Sequence, residues 1–232
     1  MRNGAKFSPR QIAFAGLLGA ITVVLGATPL GFIQIPPISI TIMHVPTILA
    51  GIIHGPIVGG VVGAMFGFFS MWQAQASINP MDKIIFSNPL IAVLPRVLIG
   101  IVAHYVFKLS KGRTGETAVV VVSASMLGYT GYSFLDALAP EARIGVALAV
   151  AVLVGLTVMA FQRKSGHSPA LAAAAGSLTN TVLVLGSIVA FGYLPSSVAL
   201  TVGVVNGIPE AAVAMILTGL VYRATSKFVG DR

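Results

Sequence analysis

Hydrophobic residues run through this chain in long blocks, each closed by a short polar or charged break. The first block goes from about Ile12 to Ile33 and stops at Gln34-Ile-Pro-Pro-Ile38, where two prolines without backbone donors mark an irregular turn. A shorter block, about Ser39 to Ile53, contains Pro46 and is expected to be a kinked helix. His54-Gly-Pro56 is a tight turn, and a third block reaches about Trp72. A polar stretch from Gln73 to Pro89 precedes the fourth block, about Leu90 to Phe107. The remaining blocks are about Thr117–Leu135, Ile144–Phe161, Pro169–Phe191 and Val198–Tyr222. Each of the long ones is close to the roughly 20 residues that carry a helix across a bilayer. The pattern predicts eight helices.

Composition decides where those helices lie. Hydrophobic residues make up 56% of the 232-residue chain and charged residues 9%, with a mean hydropathy of +0.95. A soluble domain cannot hide that much apolar surface, because even a good core leaves a wettable exterior. The fold class is therefore all-α: a polytopic helical bundle in a lipid bilayer, organised as one membrane domain over residues 1–232. The first apolar run is long and no small-residue cleavage site closes it, so a retained helix is expected rather than a cleaved signal.

Charge supplies the orientation. Arg2, Lys6, Arg10, Lys108, Lys111, Arg113, Arg163, Lys164, Arg223, Lys227 and Arg232 all fall in breaks on one side if eight crossings are drawn. The other side holds only Lys83 and Arg143, and Arg96 lies within a block. By the positive-inside rule both termini are expected in the cytoplasm. The net charge of +8 then reflects membrane orientation, and no nucleic-acid partner is expected. A prokaryotic plasma membrane fits best.

Three polar residues interrupt apolar blocks. Arg96 is the lone cation in one, Glu210 the lone acid in another, and Asn180 lies in Ser177-Leu-Thr-Asn-Thr181. At about 1.5 Å per helical residue, each lies roughly 17 to 20 Å from its cytoplasmic boundary. A charge at such depth costs at least about 2.5 to 3.5 kcal/mol, so it should face the bundle interior or a wet cavity. Two readings stand: a structural Arg96–Glu210 ion pair, or a pocket in which Arg96 holds an anion and Asn180 and Asn206 orient it. A guanidinium fork suits a carboxylate. His44, near the outer start of the second helix, is a further candidate for the same cavity, with a packing role as the alternative. Pro95 and Pro209 precede the two charges and are expected to bend or restart their helices. Above this level lie the Gln34-Ile-Pro36-Pro37 turn and the Gln73–Asn88 stretch with Asn79 and Asp82, which read either as lids over a pocket that opens outward or as ordinary solvated loops.

Near the cytoplasmic end of the first helix, Ala15 with Gly19 and Gly16 with Ala20 form four-spaced small pairs. Such spacing lets another backbone approach, from this chain or from a partner subunit. Cysteine is absent, which removes disulfides, thiolate metal sites and a cysteine nucleophile. There is no phosphate loop, no Gly-x-Ser-x-Gly elbow and no His-Glu-x-x-His motif, and His44 and His54 are poorly spaced for a metal. No cofactor and no enzymatic activity are expected.

Several stretches together resemble the substrate-binding S components of energy-coupling factor (ECF) vitamin transporters. These are Thr41-Ile-Met-His-Val-Pro46, His54-Gly-Pro56, Gly59-Gly-Val-Val-Gly-Ala-Met-Phe-Gly67, Leu94-Pro-Arg96, Ser177-Leu-Thr-Asn-Thr-Val-Leu-Val-Leu-Gly186 and Asn206-Gly-Ile-Pro-Glu210. The likeness is closest to the pantothenate-type subgroup. It implies a six-helix core with cytoplasmic ends, here about residues 12–108 and 169–222, docking on a transmembrane coupling subunit and two ATPase subunits. It also implies small residues of the first helix facing the coupling subunit, outer loops closing over the vitamin, and toppling of the subunit to release it. Arg96 and Asn180 match the ligand's polar contacts in that subgroup. The departure is the segment 117–161, which reads as an inserted helical hairpin that adds two crossings and preserves orientation. Within this resemblance the alternative ligands are riboflavin and cobalamin. Outside it stand a stand-alone secondary transporter using Glu210 and Arg96 as an ion relay, and a ligand-free scaffold.

Overall fold

The computed structural model describes residues 7–35, 38–110 and 168–229, with scattered positions between 117 and 145. Its elements are α1 (Pro9–Ala27), a 3-10 turn (Pro29–Gly31), β1 (Phe32–Ile35), β2 (Ile38–Thr41), α2 (Val45–His54) and α3 (Pro56–Gln75). After these come α4 (Pro80–Phe86), α5 (Pro89–Ala92), α6 (Leu94–Leu109), α7 (Pro169–Ala190), α8 (Ser196–Val202), a π turn (Gly203–Gly207) and α9 (Ile208–Val229). Among the described residues, five spans are long and apolar enough to cross a bilayer: Pro9–Ala27, Pro56–Gln75, Pro89–Leu109, Pro169–Ala190 and Ser196–Thr225. The chain is thus a bundle of membrane helices. The expected hairpin 117–161 lies mostly outside the described residues; the described positions there are helical, and Val122 packs against the cluster formed by Ala170, Ala174, Ala211, Ala212 and Met215.

Proline starts these helices. Pro9, Pro46, Pro56, Pro80, Pro89, Pro95 and Pro169 each stand at the first or second residue, where a missing N–H leaves no bond unmade. Pro46 therefore opens α2 instead of kinking a longer helix, which corrects the expected Ser39–Ile53 span. Pro209 is the second residue of α9, and the wider π turn before it accommodates a ring that would collide with the carbonyl four residues back.

The first lid turn is a β-hairpin, a departure from the all-helical expectation. Phe32 pairs with Thr41, Ile33 with Ile40, Gln34 with Ser39 and Ile35 with Ile38. Pairing of this kind suits the β-branched, alternating segment Ile38-Ser-Ile-Thr41, whose Ile40 is fully buried. Pro36 and Pro37 lie outside the described residues.

Helix α2 is enclosed. Every residue from Val45 to Ile52 is buried, as expected for a helix apolar on all faces. Around it, glycine sets the spacing. A Cβ on Gly51 or Gly63 would strike the carbonyl of Gly100 or Arg96, and one on Gly59 would sit 2.7 Å from Cα of Gly51. One on Gly67 would sit 2.6 Å from Cα of Val93. Gly59, Gly63 and Gly67 recur every four residues, so one face of α3 carries α6 at backbone contact. That contact fixes where Arg96 stands.

On α1, Ala15 and Gly19 turn inward. Ala15 packs with Ala50, Val58 and Val62, and Gly19 lies under the Met65 side chain. Gly16 and Ala20 face outward, with open space around Gly16. The outer surface is apolar: Leu17, Val24, Phe68, Trp72, Val182 and Leu220 are all exposed, as lipid contact requires.

Candidate functional site

Arg96 enters from the second residue position after Leu94 at the start of α6, just below the break at Val93. It is only 7% exposed. Its Nη1 donates to the Ile91 carbonyl at 2.7 Å, a carbonyl that α5 presents to it. Its guanidinium lies 5.6 Å from the Phe66 ring centroid on α3 and 5.4 Å from the Phe86 ring centroid at the end of α4. Two aromatic faces thus flank the charge and supply part of the stabilisation that water would otherwise give. Its Nε is buried and makes no hydrogen bond.

Glu210 sits in the first turn of α9. Its Oε1 accepts the Thr41 amide at 3.0 Å, which ties β2 to α9 across 169 residues of chain. Among the described residues no ion pair joins Glu210 to Arg96, although their charges act on each other. The structural ion pair allowed by the sequence is therefore replaced by a divided arrangement: the carboxylate holds the hairpin, and the guanidinium keeps donor capacity free.

His44 precedes α2, is 1% exposed, and lies within electrostatic reach of Arg96. Its Nε2 is buried without a partner. Asn180 is half-buried on α7, and its Oδ1 likewise has no partner. A Cβ on Gly176 would lie 3.0 Å from Ile48 Cγ1 and 3.3 Å from the Ile99 carbonyl, so α2, α6 and α7 share one level there. Counting outward at about 1.5 Å per residue, Arg96 stands about 4.5 Å above that level and His44 and Asn180 about 6 Å. Arg96, His44 and Asn180 are brought to one height. Asn206 is half-buried within the π turn, next to Gly207, which packs on Thr181.

The lid residues have internal roles. Asn79 Oδ1 caps α4 by accepting the Met81 amide at 3.0 Å, and Asp82 accepts Ser77 Oγ at 2.8 Å. They shape the 77–88 segment, and Phe86 carries it to Arg96. Gln34 lies on β1 opposite Ser39. Phe66, Phe86 and Thr41 were missed in the sequence, where aromatics in apolar blocks are indistinguishable from core and a backbone amide leaves no trace. Two apolar surface grooves among the described residues, one between α3 and α6 and one between α6 and α7, hold none of these residues.

Fold and site define the class: a multi-pass helical membrane protein with a guanidinium enclosed among its helices. Residues 10–222 match the family described as ECF transporter, substrate-specific component, and the chain belongs to that family, which is one of transporter components and not an enzyme family. It is 25% identical over 243 aligned positions to the pantothenic acid transporter PanT of Lactococcus lactis subsp. cremoris, with 96% of each chain covered. It is also 31% identical over 91 residues to the pantothenate transporter PanT of Leuconostoc mesenteroides, covering 39% of this chain and 44% of that protein, less than half its length.

Proposed function

We propose that this chain is the high-affinity binding subunit of an ECF-type importer for pantothenate in the bacterial plasma membrane. Its site opens outward and both termini are cytoplasmic. The observation that carries the reading is Arg96: a buried guanidinium flanked by two aromatic rings, with a buried N–H that has no partner among the described residues. A ligand carboxylate satisfies that donor, and His44 and Asn180 stand at the same height to complete its bonds. Glu210 and Asn206 border the site from α9. The two relatives named for pantothenate transport support this ligand over riboflavin or cobalamin.

In this reading the hairpin and the 77–88 segment, with Gln34, Pro36, Pro37, Asn79 and Asp82, close over the vitamin. The exposed Gly16 and Ala20 meet a transmembrane coupling subunit, which brings two ATPases. Titration calorimetry of the detergent-purified chain with pantothenate tests the assignment. Binding is expected with wild type and is lost in Arg96→Ala at unchanged melting temperature; equal affinity in that variant refutes the site. The ion-relay alternative instead predicts gradient-driven uptake into vesicles by the chain alone.

A further inference from the structure

Hydroxyl groups on membrane helices ordinarily bond the carbonyl one turn back. This chain does so at Thr22, Thr28, Thr179, Thr181, Thr201 and Thr225. Thr47 and Ser177 do not: they are 0% and 1% exposed, and their hydroxyl oxygens have no partner among the described residues. Thr47 is the third residue of α2, so no helical carbonyl precedes it at the right distance. Each is the next residue outward from the level that Ile48 and Gly176 define. Both therefore lie about 3 Å inward of Arg96 and about 4.5 Å inward of His44 and Asn180. Thr218 is a third unpartnered buried hydroxyl, but it lies two helical turns inward of Glu210, out of reach of the same ligand.

We infer that Thr47 and Ser177 form a second binding layer, which takes a neutral hydrogen-bonding group of the ligand while Arg96 takes its anion. This rests on the proposed function and sharpens it: the ligand class is a carboxylate carrying an amide or hydroxyl a few ångströms along its chain. Pantothenate has an amide at that distance from its carboxylate, and an apolar fatty acid does not. A hydroxyl can donate to a carbonyl or accept from an N–H, so the two residues together match both ends of an amide.

The test is pantothenate affinity and melting temperature for wild type, Thr47→Val, Thr47→Ser, Ser177→Ala and Arg96→Ala in detergent. Thr47→Val and Ser177→Ala should each weaken binding about five- to tenfold, the usual effect of one lost hydrogen bond. Their ligand-free melting temperatures should not fall, because an unpartnered hydroxyl contributes nothing to the empty fold. Thr47→Ser should keep most of the affinity. Binding within twofold of wild type in both variants overturns the second layer while leaving Arg96 as the anion site. A lower melting temperature in both, with unchanged affinity, also overturns it and makes the two residues structural. Absence of binding by wild type overturns the pantothenate reading and the second layer together.

Discussion

Gly100→Ala should weaken ligand binding without touching any residue of the site. A Cβ on Gly100 would lie 2.6 Å from both C and Cα of Gly59, and ordinary contact begins at 3.4 Å. Both partners are backbone, so no side chain can rotate away, and the helices must part by about 1 Å at a cost of about 1 to 3 kcal/mol. Arg96 is one turn along α6 from Gly100, and its own carbonyl rests on Gly63. Separation therefore moves the guanidinium off Phe66. Gly60→Ala is the matched control: its Cβ would meet only side-chain atoms, the nearest at 3.7 Å, an ordinary contact. Alanine there should stabilise α3 by about 0.5 to 1 kcal/mol through lower unfolded-state entropy. Melting curves and calorimetry on the two variants provide the assay. Gly100→Ala is expected to melt several degrees lower and bind at least tenfold more weakly, with Gly60→Ala unchanged or better on both counts. If both variants behave alike, the backbone contact does not position Arg96 and the reasoning fails.

Phe86→Ala should cost about 0.5 to 2 kcal/mol of binding through the lost cation–π face, seen mainly as faster dissociation in stopped-flow measurements. Glu210→Gln keeps an acceptor for the Thr41 amide and removes a negative charge near Arg96, so calorimetry should show equal or tighter binding of an anionic ligand. Glu210→Leu removes the acceptor, and limited proteolysis should then cut the 34–38 turn faster than in wild type. Gly16→Val should leave binding by the isolated subunit intact and stop ATP-driven uptake by the assembled transporter in vesicles.

The bundle was legible because apolar block length is a direct record of bilayer thickness. Arg96 and Glu210 were legible as charges where lipid forbids them. Pro46 misled because proline reads as a kink in any apolar block, whereas its neighbours Thr41 and His44 already belong to a hairpin and a helix start. The β-hairpin was hidden because the four-residue strands Phe-Ile-Gln-Ile and Ile-Ser-Ile-Thr look like the flanks of helical runs. The small pairs of α1 gave the spacing but not the rotation: Ala15/Gly19 serve α3, and only Gly16/Ala20 stay exposed. No pattern in the sequence distinguishes Thr47 and Ser177 from the six threonines that bond their own helix, because the difference is one of rotamer and position within a turn.

The enclosed ten-residue helix α2 reaches only about half the hydrocarbon thickness, at roughly 15 Å. The paired strands β1 and β2, a short ribbon, stand directly before it in the chain. Ribbon can be peeled away a few bonds at a time, whereas unwinding a helix in lipid exposes many backbone groups together. Under the proposed function, the hairpin is then one of two covers that can lift from the ligand while the neighbouring helices stay packed.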